Sequence, residues 1–332
     1  MNILQKKLTL AFTMIELIFV IVILGIVASI GSSLIAKTYE SYILQKAIHK
    51  ASLATELAAM QLVNRLTYRI NNTTVAKRPT APYDYVTVSN ISSLGDNVHT
   101  ALEWISYDND SYDAQKIPGW SGYADPRDAN KSQFATPGSD ITIADAIIGN
   151  LSGDTVGLTG GGQRPAIFFQ SPSYYVPNDS FYAPACMGLD YATNDTTCVL
   201  AVSGTSNAAT ATADTFAFSD VAHNNTPKTI MDHYKLALSA YAVVPAKVTG
   251  TALTDRGFQT GDKIYDLTLY YNYQPWLGEQ FNVDASSSVL IRNVSVFKFS
   301  ESGGTMRFKI CVQQIVAGND KATICKEKAI IR

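Results

Sequence analysis

Two hydrophobic periods divide the chain. From Phe12 to Ala36 apolar residues follow one another almost without a break (FTMIELIFVIVILGIVASIGSSLIA), and the only charge among them is Glu16. Leu17 to Ala36 are 20 consecutive uncharged, mostly apolar residues. At ~1.5 Å per residue they span ~30 Å, the thickness of a bilayer's hydrocarbon core, so the run predicts a helix able to cross a membrane. Beyond it the pattern turns amphipathic. Ile43, Ala47, Ala51, Ala54, Ala58, Leu62 and Leu66 recur at steps of three or four, while Lys46, Lys50, Glu56 and Arg65 fall largely elsewhere. No proline precedes Pro79, so one helix from Phe12 to about Arg69 is predicted, 58 residues and ~87 Å long. Half of it lies outside any bilayer, and its alanine-rich stripe predicts close packing against a sheet.

The second period is two. Leu236, Leu238, Ala240, Ala242 and Val244 alternate with another set, as do Tyr265, Leu267, Leu269, Tyr271 and Tyr273, and then Met306, Phe308, Ile310 and Val312. Such runs predict an antiparallel sheet. The last two, TMRFKICVQQ and KATICKEKAIIR, flank the turn signal Ala317 to Asp320. Cys311 and Cys325 each stand seven residues from Gly318, so a hairpin centred there places them face to face. The same register sets Lys309 opposite Glu327 as a cross-strand ion pair. Between about Asn71 and Thr229 the chain is polar and irregular, with short strand candidates such as Ala166 to Gln170, and it reads as long loops on the sheet with some subdomain structure. Cys186 and Cys198 are placed to close a small surface loop there. The fold class expected is α+β: a long N-terminal helix packed on a C-terminal antiparallel sheet, with long irregular insertions. The segments are 1–11 (a leader), 12–36 (the apolar helix), 37–70 (the amphipathic helix), 71–229 (the insertion) and 230–332 (the sheet with a disulfide hairpin).

Composition sharpens this picture. Charged residues are 16% and apolar residues 46%, with a mean hydropathy of +0.03, fewer charges than a soluble chain carries. The 26 Lys+Arg against 28 Asp+Glu leave a net charge of −2, no field for a nucleic-acid backbone, and no nucleic-acid partner is expected. Four cysteines in two close pairs suit an oxidising compartment. A basic start (Lys6, Lys7), an apolar run and the small residues Ala28 and Ser29 also describe a cleavable secretory signal. Against that reading, a carboxylate inside a membrane span costs ~2.5 to 3.5 kcal/mol at mid-bilayer, so Glu16 needs a reason that a signal peptide does not supply.

At these residues the sequence resembles the type IV pilin and type II secretion pseudopilin superfamily. The leader Met1 to Ala11 with Lys6 and Lys7, the small Ala11 before the scissile bond, Phe12 as first mature residue, Glu16 at the fifth mature position and the helix from Leu17 correspond to that family's parts. Two positions depart from it: Ala11 stands where Gly is usual, and Ser33 where many major pilins have Pro. Leu290 to Val312 (LIRNVSVFKFSESGGTMRFKICV) also looks like the C-terminal region of larger minor pilins and J-type minor pseudopilins, with Phe297 and Phe299 before a Gly turn and a final hairpin. The resemblance implies a structural role. Prepilin peptidase would cut between Ala11 and Phe12, with N-terminal methylation of Phe12. The subunit would wait as a single-pass inner-membrane protein and then join a periplasmic or extracellular filament through Glu16. Its partners would be other pilins or pseudopilins, the peptidase, the inner-membrane assembly platform and the membrane. A domain of about 260 residues beyond the helix is large for every filament position and suits a tip or low-copy subunit. The alternative is a membrane-anchored periplasmic binding module or enzyme with an uncleaved helix, using loops that carry Trp104, Trp120 and Trp276.

No enzymatic motif stands up, and no cofactor or metal is expected. Gly153 to Gln163 (GDTVGLTGGGQ) lacks the Lys-Ser/Thr of a phosphate loop, and Gly119 to Gly122 misses the nucleophile-elbow spacing at Tyr123. His49, His99, His223 and His233 follow no zinc spacing. Asp108, Asp110 and Asp113 resemble a calcium loop except that Tyr112 takes a ligand position. Asp128 to Ser132 (DANKS) matches the extended bacterial acceptor pattern for glycosylation at Asn130.

Overall fold

The computed structural model describes residues 13–70, 72–91, 97–113, 116–160, 162–170, 184–196, 199–205, 214–219, 230–316 and 320–331. One long helix opens it, α1 (Met14–Thr67). Eight short strands follow, β1 (Val75–Lys77), β2 (Tyr85–Thr87), β3 (Ala101–Tyr107), β4 (Asp125–Ala129), β5 (Gln133–Ala135), β6 (Ala166–Phe169), β7 (Leu200–Thr205) and β8 (Thr215–Phe218). Among them lie the helices α2 (Asn109–Tyr112) and α3 (Ile141–Ser152). Longer strands complete the chain: β9 (Tyr234–Lys247), β10 (Tyr265–Tyr273), β11 (Ser286–Ser302), β12 (Thr305–Ile315) and β13 (Lys321–Ile330), with a single turn of helix, α4 (Thr251–Thr254), after β9. The fold is α+β.

The strands join in the order β13-β12-β11-β10-β9-β6-β7-β8-β5-β4, with β3 also on β9, β1 on β3 and β2 on β1. All these pairings are antiparallel. Strand β9 is the joint. Residues 240–247 pair with β10, 237–243 with β3, and 234–237 with β6, which starts the second half of the sheet. A 14-residue strand can serve three neighbours because every residue of an antiparallel strand offers its backbone groups to one edge or the other.

Three apolar layers hold this sheet. On one face Ala58, Ala59, Leu62 and Leu66 of α1 meet Met306, Phe308, Ile310 and Val312 of β12 and Ile330 of β13. The period-two set expected from the sequence is thus the face beneath the helix. The opposite face buries Ile105, Phe168, Tyr273, Trp276 and Phe281. The third layer lies under α3, whose Ile141, Ala144 and Ile148 pack with Trp120, Phe134, Phe216 and Tyr234. Asp140 caps α3, accepting from Ile143 N at 3.1 Å, and Gly153 ends it at φ 64°. The helix sits so close to β7 that a Cβ on Gly204 would overlap Ile141.

Helix α1 begins two residues later than expected and touches the domain only through its last third. Its buried stripe is Ala51, Thr55, Ala58, Ala59, Leu62 and Leu66. Ile43 and Ala54, expected on that stripe, are exposed, and Thr55 and Ala59 take the place. The reason is geometric: the sheet reaches the helix only from Ala51 onward, and contact there follows the true 3.6-residue period, which selects Thr55 four residues on. Lys326 and Lys328, both on the β13 side facing the helix, reach Glu56. The Lys328 ammonium beside Glu56 holds its carboxyl below the usual carboxylate range.

The final hairpin has the expected register. Cys311 pairs with Cys325 and the two are joined by a disulfide; Lys309 stands opposite Glu327. No ion pair between Lys309 and Glu327 is found among the described residues, whose β13 lysines pair instead with Glu56 and, through Lys321, with Asp262. The bridge lies on the face away from α1, closing a separation of 14 residues, a loop size worth ~3 kcal/mol. Replacing both cysteines by serine is therefore expected to lower unfolding free energy by ~2 to 4 kcal/mol. Urea melts of the full chain in detergent micelles measure it, and an unchanged midpoint would show that the bridge adds nothing to the hairpin.

Candidate functional site

The feature the fold leaves unfinished is the first part of α1. Among the described residues, none from Met14 to Lys50 is buried against the rest of the fold. Ile15, Ile18, Phe19, Ile23, Val27, Ile30 and Leu34 are each 55–65% exposed. The helix is long and apolar enough to cross a membrane. Two of its hydroxyls bond back to the helix, Ser33 Oγ donating to Ile30 O at 2.9 Å and Thr38 Oγ1 to Leu34 O at 2.8 Å, the arrangement a hydroxyl needs where no water is available. Among the described residues nothing lies within 4 Å of a Cβ built on Gly25 or Gly31, so another helix can pack closely there.

Glu16 sits at the third helical position and closes a capping box. Its Oε2 accepts from Thr13 N at 3.0 Å and from Thr13 Oγ1 at 2.9 Å, while Glu16 N donates to Thr13 Oγ1 at 3.4 Å. Two of the four orphan N–H groups at the helix start are thereby answered. This gives Glu16 a local role that the sequence reading did not assign. The signal was present, because Thr13-x-x-Glu16 before an apolar run is the capping-box pattern. Ala11 and Phe12 lie outside the described residues.

The other candidates are placed as follows. Cys186 is disulfide-bonded, and Cys198 lies outside the described residues. Asn130 is exposed in the β4–β5 turn, where its Oδ1 accepts from Ser132 N and Gln133 N. Asp108 is buried and caps α2 through Ser111, so it turns inward as a helix cap; burial raises its carboxyl above the usual range. No group of three metal-binding side chains occurs among the described residues. Trp104, Trp120 and Trp276 were expected on binding loops, but all three are at most 2% exposed. They are core. Trp120 packs among Tyr107, Tyr112 and Tyr234, and its Nε1 donates to Asp108 O at 3.0 Å. The glycine-rich stretch after α3 is tied down by Asp145, whose Oδ1 accepts from Leu158 N at 2.6 Å.

One charged cluster was not anticipated. Lys77 of β1 and Glu103 of β3 form an ion pair at 2.5 Å with both side chains wholly buried. Tyr191 and Tyr273 hydroxyls each donate to Glu103 Oε1 at 2.7 Å, and the Lys77 ammonium lies 3.1 Å from the Tyr191 ring centroid. Burial pushes the Lys77 ammonium down to about 8, against the pull of Glu103, and pushes both tyrosine hydroxyls up. A single charge inside the apolar run ALEWISY was the available hint. The cluster reads as a device that pins β1 to β3.

No family model matches this chain, and it has no match among the curated proteins or the solved structures searched.

Breaking the buried pair from one side strands a charge. Lys77→Met is expected to cost ~3 to 5 kcal/mol. Adding Glu103→Gln should recover much of the loss, because the amide oxygen still accepts from Tyr191 and Tyr273. Thermal melts of the single and double variants test this; equal losses in both would show that the charge of Glu103 is not what the single variant exposes.

Proposed function

We propose that the chain is a minor type IV pilin or type II secretion pseudopilin, a structural subunit placed at the tip or in low copy in a filament. The observation that carries the reading is the projecting, uncovered apolar length of α1 with one capped carboxylate at its very start. Gln would close the same cap, so the charge of Glu16 is what an isolated membrane anchor does not need, whereas a helix that must leave lipid and enter a bundle of like helices can use it. Prepilin peptidase would cut after Ala11 and leave an amine on Phe12, four residues before Glu16. In the low dielectric of a helix bundle an amine and a carboxylate from neighbouring subunits are far better paired than separate. Such pairing sets their axial stagger. The rest of α1 then gives up lipid contacts for neighbouring helices, with the peptidase and an inner-membrane platform as the earlier partners.

The capping box makes the test sharper. Gln at position 16 keeps the cap and loses the charge, since a capping box accepts Glu or Gln; Ala loses both. Both Glu16→Gln and Glu16→Ala are expected to be made, processed and held in the membrane, with incorporation into sheared filaments at least tenfold below wild type. If Glu16→Gln assembles at the wild-type level while Glu16→Ala does not, the residue acts as a cap and the intersubunit ion pair is wrong.

A further inference from the structure

Where the two halves of the sheet meet, a cleft of about 380 Å3 opens between the last turns of α1, strands β3, β9 and β10, and the segment after α3. Tyr68, Tyr107, Tyr241 and Tyr271 stand in its walls. The hydroxyls of Tyr68, Tyr241 and Tyr271 and the side-chain amides of Asn64 and Asn272 have no hydrogen-bond partner among the described residues. Beside them Gln274 is 1% exposed; its Nε2 donates to Leu238 O at 2.8 Å, while its buried Oε1 has no partner. A buried oxygen such as Gln274 Oε1 does not usually stay unanswered in a native fold, and the more open hydroxyls and amides around it can turn to a ligand.

The set of groups selects the ligand. Side-chain amides and phenol hydroxyls both donate and accept, as sugar hydroxyls do. Charge selects against a phosphate, because Arg65 is matched by Asp108 and Asp110 in the same lining. A purely apolar ligand would leave the amides unpaired in a dry site. Tyr241 is already stacked on Trp104 at 5.8 Å, with Arg65 5.9 Å from its ring centroid, whereas Tyr271 makes no ring contact among the described residues. That leaves the Tyr271 ring as a platform for the C–H face of a ring. The volume lies within the range of small-molecule sites, ~300 to 1,000 Å3.

We propose that this cleft binds a neutral saccharide, with a sugar ring against Tyr271, its hydroxyls on Asn64 and Asn272, and one hydroxyl donating to Gln274 Oε1. The site stands apart from the apolar part of α1, so it is the same whether or not the leader is removed or the subunit assembles. In a tip subunit it would give a filament a contact for glycans.

Saturation-transfer NMR on the full chain tests this, in micelles of a zwitterionic detergent that carries no sugar, with maltose, cellobiose, lactose and diacetylchitobiose as probes. Transfer to at least one of these is expected, with affinity at least tenfold weaker in Tyr271→Ala and in Asn272→Gly. Asn272 lies at φ 57°, a conformation glycine adopts freely, so that variant keeps the end of β10; a melting temperature near wild type confirms folding. No transfer to any of the four sugars would overturn the proposal, as would transfer that survives both substitutions. Spermidine binding in place of the sugars would overturn it too, marking the cleft as a cation site of Asp108 and Asp110.

Discussion

The dominant constraint on this molecule is apolar surface that its described residues leave uncovered. Fifteen large apolar side chains between Met14 and Ile35 remain exposed. Burying such a side chain is worth ~1.5 to 3 kcal/mol, and with about half of each already shielded by its own helix the uncovered part amounts to on the order of 10 to 20 kcal/mol. That equals or exceeds the whole folding stability of an ordinary domain. On the reading proposed above, the helix sits in lipid or against other apolar helices, and exchange between the two leaves the term nearly unchanged. Small specific interactions then decide where it goes, which is the opening for one carboxylate at the helix start.

The folded domain serves the other end of the same helix. It holds α1 through six side chains, small at Ala51, Ala58 and Ala59, so that the backbone lies close to β12 and β13. Glu56 with Lys326 and Lys328 fixes the helix against the last strand from the side, and the disulfide holds that strand to its neighbour. The second half of the sheet, from β6 to β4 under α3, makes no contribution to the helix face. It hangs on β9, and the cleft between the halves is a consequence of that junction.

Elements with long, regular periods were legible in the sequence. The register of the last hairpin followed from the symmetry of two cysteines about Gly318, and its strands follow a plain alternation. The second half was not legible because β4 to β8 are three to six residues long, too short for a period to declare itself, and stable only through the aromatic layer around Phe134 that joins distant segments. The tryptophans were misplaced for the same reason: polar neighbours in sequence suggested loops, while the partners that bury Trp120 come from β3, α2 and β9. At the helix start the spacing of Thr13 and Glu16 carries a second, local meaning as a capping box, beside the charge that marks Glu16 as unusual in an apolar run. Lys77 and Glu103 are 26 positions apart, and only the pairing of β1 with β3 makes them one cluster.

What becomes of the chain before the exposed helix separates a filament subunit from an anchored or secreted protein. Intact mass and N-terminal peptide mapping of the protein taken from membranes and from sheared filaments read this directly. Removal of Met1 to Ala11, leaving a chain that begins at a methylated Phe12 and retains all of α1, is the result predicted for a filament subunit. A chain beginning at Ser29 or Gly31, or one that keeps Met1 to Ala11 wherever it is found, would contradict it. The first would make the apolar run a secretory signal and the second a permanent anchor.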